Sequence, residues 1–228
     1  MSTTPITFPG LLRSEVQKTW SVPSIGWLLL LAGPAIVLTI VAAAQFSPGV
    51  AVATGSMVGG AVLALAGGLS VAGEYATGSI RTTCTVVPQR DRVVLAKGLA
   101  VVLFGLAIGW VGAIVGAAVV GILGAAAVPV LVAGPAVAAT ALLGLFLGFL
   151  IRRVAPTAIV TVIGLFLVSG LIGGVRIGDG YVVDWLFTDN ATALVAGTPD
   201  WGRPLVSVVL WLVATGAVAV VRLRRSDV

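Results

Sequence analysis

Histidine is absent from all 228 residues, and that absence removes Ser-His-Asp hydrolysis, histidine-ligated haem and HExxH zinc sites together. Cysteine is nearly absent too. Cys84 stands alone, so no internal disulfide can form, and a metal site built on a single thiol lacks the other ligands it needs. Charge is scarce as well: only 9% of residues are Asp, Glu, Lys or Arg, against about 25% in an ordinary soluble domain. Such a chain cannot cover a water-facing surface. What it has is apolar, with 59% hydrophobic residues, 30 glycines and a mean hydropathy of +1.17. The composition is that of an all-α integral membrane protein, to be counted in crossings of about 20 residues each.

No ionisable residue occurs in 19–73, 98–151, 154–175 or 204–221. The first two stretches are each too long for one crossing and carry breakers near the middle. Ser47-Pro48-Gly49 marks a turn in one, and the run 124–129, from Gly124 to Pro129, does so in the other. Six spans follow, at about 25–46, 51–72, 98–123, 130–151, 156–175 and 204–222, in a single membrane domain. None of them holds a charge, which weakens the case for a proton- or sodium-coupled carrier, since these normally bind their ion on an intramembrane ionisable group.

With an even number of crossings both termini share a side. All but two of the 13 Lys and Arg residues fall there, while the opposite side keeps only Arg176 and Arg203 against Asp179, Asp184, Asp189 and Asp200. The positive-inside rule then places both termini in the cytoplasm of a multi-pass plasma-membrane protein. The basic excess is thereby a topology signal, and no nucleic-acid partner is expected. Arg13, Glu15 and Lys18 separate the start of the chain from the first span, so no cleavable signal peptide is expected either.

Before the first span, within 6–20, Phe8, Leu11, Leu12, Val16 and Trp20 recur at helical spacing, with Arg13, Ser14, Gln17 and Lys18 on the other side. Glu15 mars the apolar stripe. This pattern predicts an amphipathic helix lying in the membrane interface, in contact with lipid headgroups. The longest polar cytoplasmic segment, 73–97, has internal order. Glu74 and Tyr75 close span two, and 77–86 can form a short helix with Ile80 and Cys84 on one face and Arg81 turned away. Pro88 ends that helix, and 93–97 lead back into the membrane. Connections between packed elements run to about 4–6 residues, so a segment of this length is either a docking surface or a basic topogenic loop. On the other side, 176–203 combines four aspartates with Tyr181, Trp185, Phe187 and Trp201. A short helix over 184–196, interfacial or re-entrant, is expected there. The segment lacks the alternating oxygens and distal glutamate of a calcium loop.

Along span three Gly105, Gly109, Ala113, Ala117 and Gly121 form a ridge of small residues at i+4 spacing, read as a helix-packing seam; Gly55/Gly59 and Gly144/Gly148 are further pairs. The dispersed carboxylates offer no paired acid and base, so no catalytic residue, metal or cofactor is expected. There is also no phosphate loop of the G-x-x-x-x-G-K-[ST] kind. If ATP drives anything here, another polypeptide hydrolyses it.

The stretch 74–97, with Glu74-Tyr75, Gly78, Ile80-Arg81, Pro88, Arg90 and Lys97, resembles the first cytoplasmic loop of bacterial ATP-binding-cassette (ABC) type-2 permeases. The layout around it is similar as well: an interfacial helix, six spans, and a re-entrant or interfacial segment between spans five and six. The resemblance implies that 77–86 is a coupling helix docking on a cytoplasmic ATPase subunit. Glu74, Tyr75, Gly78, Ile80, Arg81 and Cys84 would then stand at that contact. It further implies a second permease, a copy or a paralogue, and an exporter located in a bacterial plasma membrane. The alternative is a polytopic anchor or assembly scaffold through which nothing crosses.

Overall fold

A computed structural model describes residues 8–79, 90–177 and 180–225. Six of its helices are long and apolar enough to cross a membrane. The chain opens with α1 (Phe8–Ser21), followed by α2 (Pro23–Ala42), α3 (Pro48–Thr77) and α4 (Arg90–Val120). Then come α5 (Ala127–Ile151) and α6 (Val154–Ile172), the latter with a π-helical turn at Ile163–Leu167. A two-stranded ribbon, β1 (Arg176–Ile177) with β2 (Gly180–Tyr181), and a 3-10 turn at Val182–Trp185 lead into α7 (Phe187–Ala196) and the last span, α8 (Gly202–Arg224). The expected all-α bundle of six apolar helices is the observed one.

Local chemistry explains the helix boundaries. Ser47 caps α3, its hydroxyl accepting from the Val50 N–H at 3.4 Å, and Pro48 occupies the first helical position, where a missing N–H costs nothing. Gly121, with φ 75°, stops α4 in the left-handed conformation. The predicted turns therefore stop and start helices where expected, but α3 and α4 overrun the predicted spans. α3 continues to Thr77 rather than ending at 72, and α4 begins at Arg90 rather than 98.

α3 is the most deeply buried span and α6 the least. α3 packs along α5 almost backbone to backbone: a Cβ added to Gly144 would lie 2.1 Å from the Ala64 carbonyl oxygen, and one added to Gly148 2.5 Å from that of Gly68. Ile36 and Ile40 of α2, both fully buried, fill hollows left by Gly55 and Gly59 on α3 and by Gly112 and Gly116 on α4. Of the predicted ridge on α4, Gly105 and Gly109 lie against Ala138 and Gly134 of α5, and Ala113 and Ala117 are fully buried. Gly121 contributes no such contact, because the helix has already ended there. Pro135 lacks the N–H that would bond the Leu131 carbonyl. The Trp110 indole supplies the donor instead, at 2.9 Å, in the space that Gly134 leaves open.

The bundle has two chemically distinct ends. At one, which we call the terminal end, lie α1, the last turns of α3, α5 and α8 and the first turns of α4, with α1 packed on α2 and α4. Arg224 pairs with Asp91 there, and Arg152 donates to the Arg222 carbonyl at 2.8 Å while lying over the Tyr75 ring at 4.9 Å. At the distal end α7 tucks onto α3 and α5, burying Phe187, Ala191, Leu194 and Val195. The helix starts at Phe187, so Asp184 precedes it. The Asp184 carboxylate instead accepts from the Tyr181 N–H and pairs with Arg203 at 3.2 Å. Trp211 and Ser207 of α8 both donate to the Trp185 carbonyl, fixing the turn to the last span.

Candidate functional site

Beyond the charge-free stretches the long helices carry buried charge. Lys97, seven residues into α4 and about 10 Å along its axis from Arg90, is only 5% exposed. Its ammonium donates to Glu15 Oε2 and to Glu74 Oε1, each at 2.6 Å. Lys18 completes the group, donating to Glu15 Oε1 at 2.8 Å and lying 3.8 Å from Glu74 Oε1. Two cations and two carboxylates thus balance where α1, α3 and α4 meet. The predicted spans themselves hold none of these charges; the cluster exists because α3 and α4 extend past the limits predicted for them and carry Glu74 and Lys97 into the bundle.

Glu15 corrects the reading of α1. It looked like a blemish on the apolar stripe of α1, yet it is 3% exposed. The stripe turned inward is Leu11 and Glu15, while Trp20 is 52% exposed and meets Phe104 edge-on at 6.1 Å. A helix in water would bury Trp20 and expose Glu15; α1 does the reverse, as expected of a helix whose outer surroundings are apolar. Burial works to raise the Glu15 carboxyl. The neighbouring Lys97 ammonium, aided by Lys18, outweighs it and holds the group below the ordinary glutamate value.

Beside this cluster lies a cavity of about 700 Å³ between α1, α2, α3, α4 and the start of α6. Glu15, Lys18, Glu74 and Lys97 line it together with the hydroxyls of Thr19, Ser21, Ser24, Ser70, Thr77 and Ser79. Apolar wall is supplied by Val22, Ile25, Leu69, Ala100, Val101 and Val154. Glu74 Oε2 is buried and has no hydrogen-bond partner among the described residues.

The predicted docking residues divide. Glu74 and Tyr75 sit in the last turn of α3, and Gly78, with φ 72°, caps that helix in the left-handed conformation. Thr77 belongs to α3 and does not start a new helix. Ile80, Arg81 and Cys84, with most of 77–86, lie outside the described residues. Lys97 and Glu15 were not read as a pair. The available signals were a lone lysine flanked by Val93, Val94, Leu95 and Ala96 on one side and Gly98, Leu99 and Ala100 on the other, and a lone acid inside a helical apolar stripe. Among the described residues no cluster of His, Cys, Asp or Glu could hold a metal ion. No protein-family model matches the chain, and no curated protein is significantly similar to it.

Proposed function

We propose that this chain is the membrane-spanning permease subunit of a bacterial ABC type-2 exporter, with both termini in the cytoplasm. It works with a second permease and with separate ATPase subunits that dock on the segment between α3 and α4. The observation that carries this reading is the ionic joint. The two helices flanking that segment are ion-paired to each other through Lys97 and Glu74 and each to α1, α4 through Lys97–Glu15 and α3 through Glu74–Lys18, so a push on the segment is delivered to an interfacial helix and to two spans at once. Nucleotide binding acts as a two-state bias, and requires the ATPase to bind one packing of the spans better than the other. The six apolar helices and the missing phosphate loop agree with a non-catalytic subunit whose engine is another polypeptide.

The test is reconstitution with the ATPase that co-purifies with the chain, or that is encoded beside it. Nucleotide-dependent movement of a fluorescent amphipathic cargo across the vesicle membrane is expected, lost on Arg81→Ala with the complex still assembled. Stable assembly with no nucleotide-dependent transport of any cargo would favour a membrane scaffold instead.

A further inference from the structure

We infer that the cavity beside Lys97 is a binding site for a phospholipid whose headgroup carries both a phosphate and a primary ammonium, of the phosphatidylethanolamine class. The inference needs only that the six helices span a membrane, and stands apart from the transporter reading. At about 700 Å³ the cavity falls within the range of about 300–1,000 Å³ typical of ligand sites. Val22 and Val154 line it and are 41% and 44% exposed, so the cavity is open beside them rather than enclosed. It lies where the charged ends of α3 and α4 meet α1, the depth at which headgroups sit.

The polar wall specifies the head. Glu74 uses Oε1 for Lys97 and leaves Oε2 buried and unpaired, an acceptor that asks for a cationic donor. Glu74 lines the cavity, and its Oε1 keeps a second lone pair for a donor there beside the Lys97 ammonium. Lys18 has three donors, gives one to Glu15, and is 44% exposed, leaving donors for an anion. The two groups stand 3.8 Å apart, and only a head with its charges on a short arm spans both. A trimethylammonium head cannot donate a hydrogen bond to Glu74, and a glycerol head has no cation. The site therefore separates phosphatidylethanolamine from phosphatidylcholine and from phosphatidylglycerol. Acyl chain runs along Val22, Val101 and Val154.

Gly73 gives a test that leaves the ion pairs alone. It lines the cavity, and a Cβ added there meets no atom within 4 Å, so Gly73→Leu places bulk in the cavity next to Glu74 in the chain without displacing backbone. The purified full-length protein is titrated with the three lipids, matched in acyl chain, and read by native mass spectrometry. Phosphatidylethanolamine is expected to be retained about tenfold more than either competitor, the ratio expected for a hydrogen bond to a charged group. Gly73→Leu and Glu74→Gln should each abolish the preference, with Gly73→Leu remaining monodisperse on size exclusion, and soluble glycerophosphoethanolamine should not displace the lipid. Equal retention of the three lipids, preference for phosphatidylglycerol, or a preference that survives Gly73→Leu would each overturn the assignment.

Discussion

α3 is held in two places by opposite physics. Along α5 it is held by shape: glycines let two backbones approach until no Cβ fits between them, and dispersion does the rest. At the terminal end it is held by charge, through Glu74, Lys97 and Glu15, in a joint bordered by a large cavity. The first contact is indifferent to pH and salt and has one geometry. The second depends on water access and protonation.

Breaking the ionic joint on one side should have the largest effect. Lys97→Met leaves Glu74 without its short ion pair in a buried site and should cost about 3–5 kcal/mol, read as a fall in the unfolding temperature of the detergent-solubilised protein. Replacing Lys97, Glu15 and Glu74 together by apolar residues of similar volume should restore most of that stability, because the desolvation cost of the ions disappears with them. If the triple variant is as unstable as Lys97→Met, the joint is a packing element and the contrast with the α3–α5 seam fails.

The seam itself is broken by bulk. Gly144→Val forces carbon against the Ala64 carbonyl and should cost about 1–3 kcal/mol or more, with no dependence on pH between neutral and acid. The joint should behave differently in that range. The Glu15 carboxyl is held low, so it binds a proton less readily folded than unfolded. Its stabilisation is complete above the ordinary glutamate range, about 4.3, and is lost as pH falls through the lowered value. The unfolding temperature should therefore drop on acidification below that range, and Glu15→Gln should remove part of the drop. The smallest effect belongs to the exposed pair of Asp91 and Arg224. Asp91→Asn should leave the unfolding temperature unchanged at physiological salt, since exposed ion pairs are screened and solvated.

Most of the architecture was legible because lipid imposes a coarse rule. Charge-free stretches and the breakers at Ser47-Pro48-Gly49 and near Gly124 were enough to count six helices. Boundaries were less so: hydropathy marks where charges begin, while a helix continues until its backbone is capped, as at Gly78. The site was hidden for the same reason. Glu15, Glu74 and Lys97 each border an apolar stretch and read singly as interface residues; only the packing of α1 across α3 and α4 makes them partners. The Trp110 bond to the Leu131 carbonyl shows the same limit, since Pro135 announces a vacant acceptor but not the donor that reaches it.

The proposed coupling requires the segment between α3 and α4 to face the cytosol, and the chain's single cysteine, Cys84, lies in that segment. Labelling with a membrane-impermeant maleimide reads its side directly. The protein should be modified in inverted vesicles and protected in intact cells. Modification from the outside of intact cells would contradict the orientation and, with it, the coupling of this chain to a cytoplasmic ATPase.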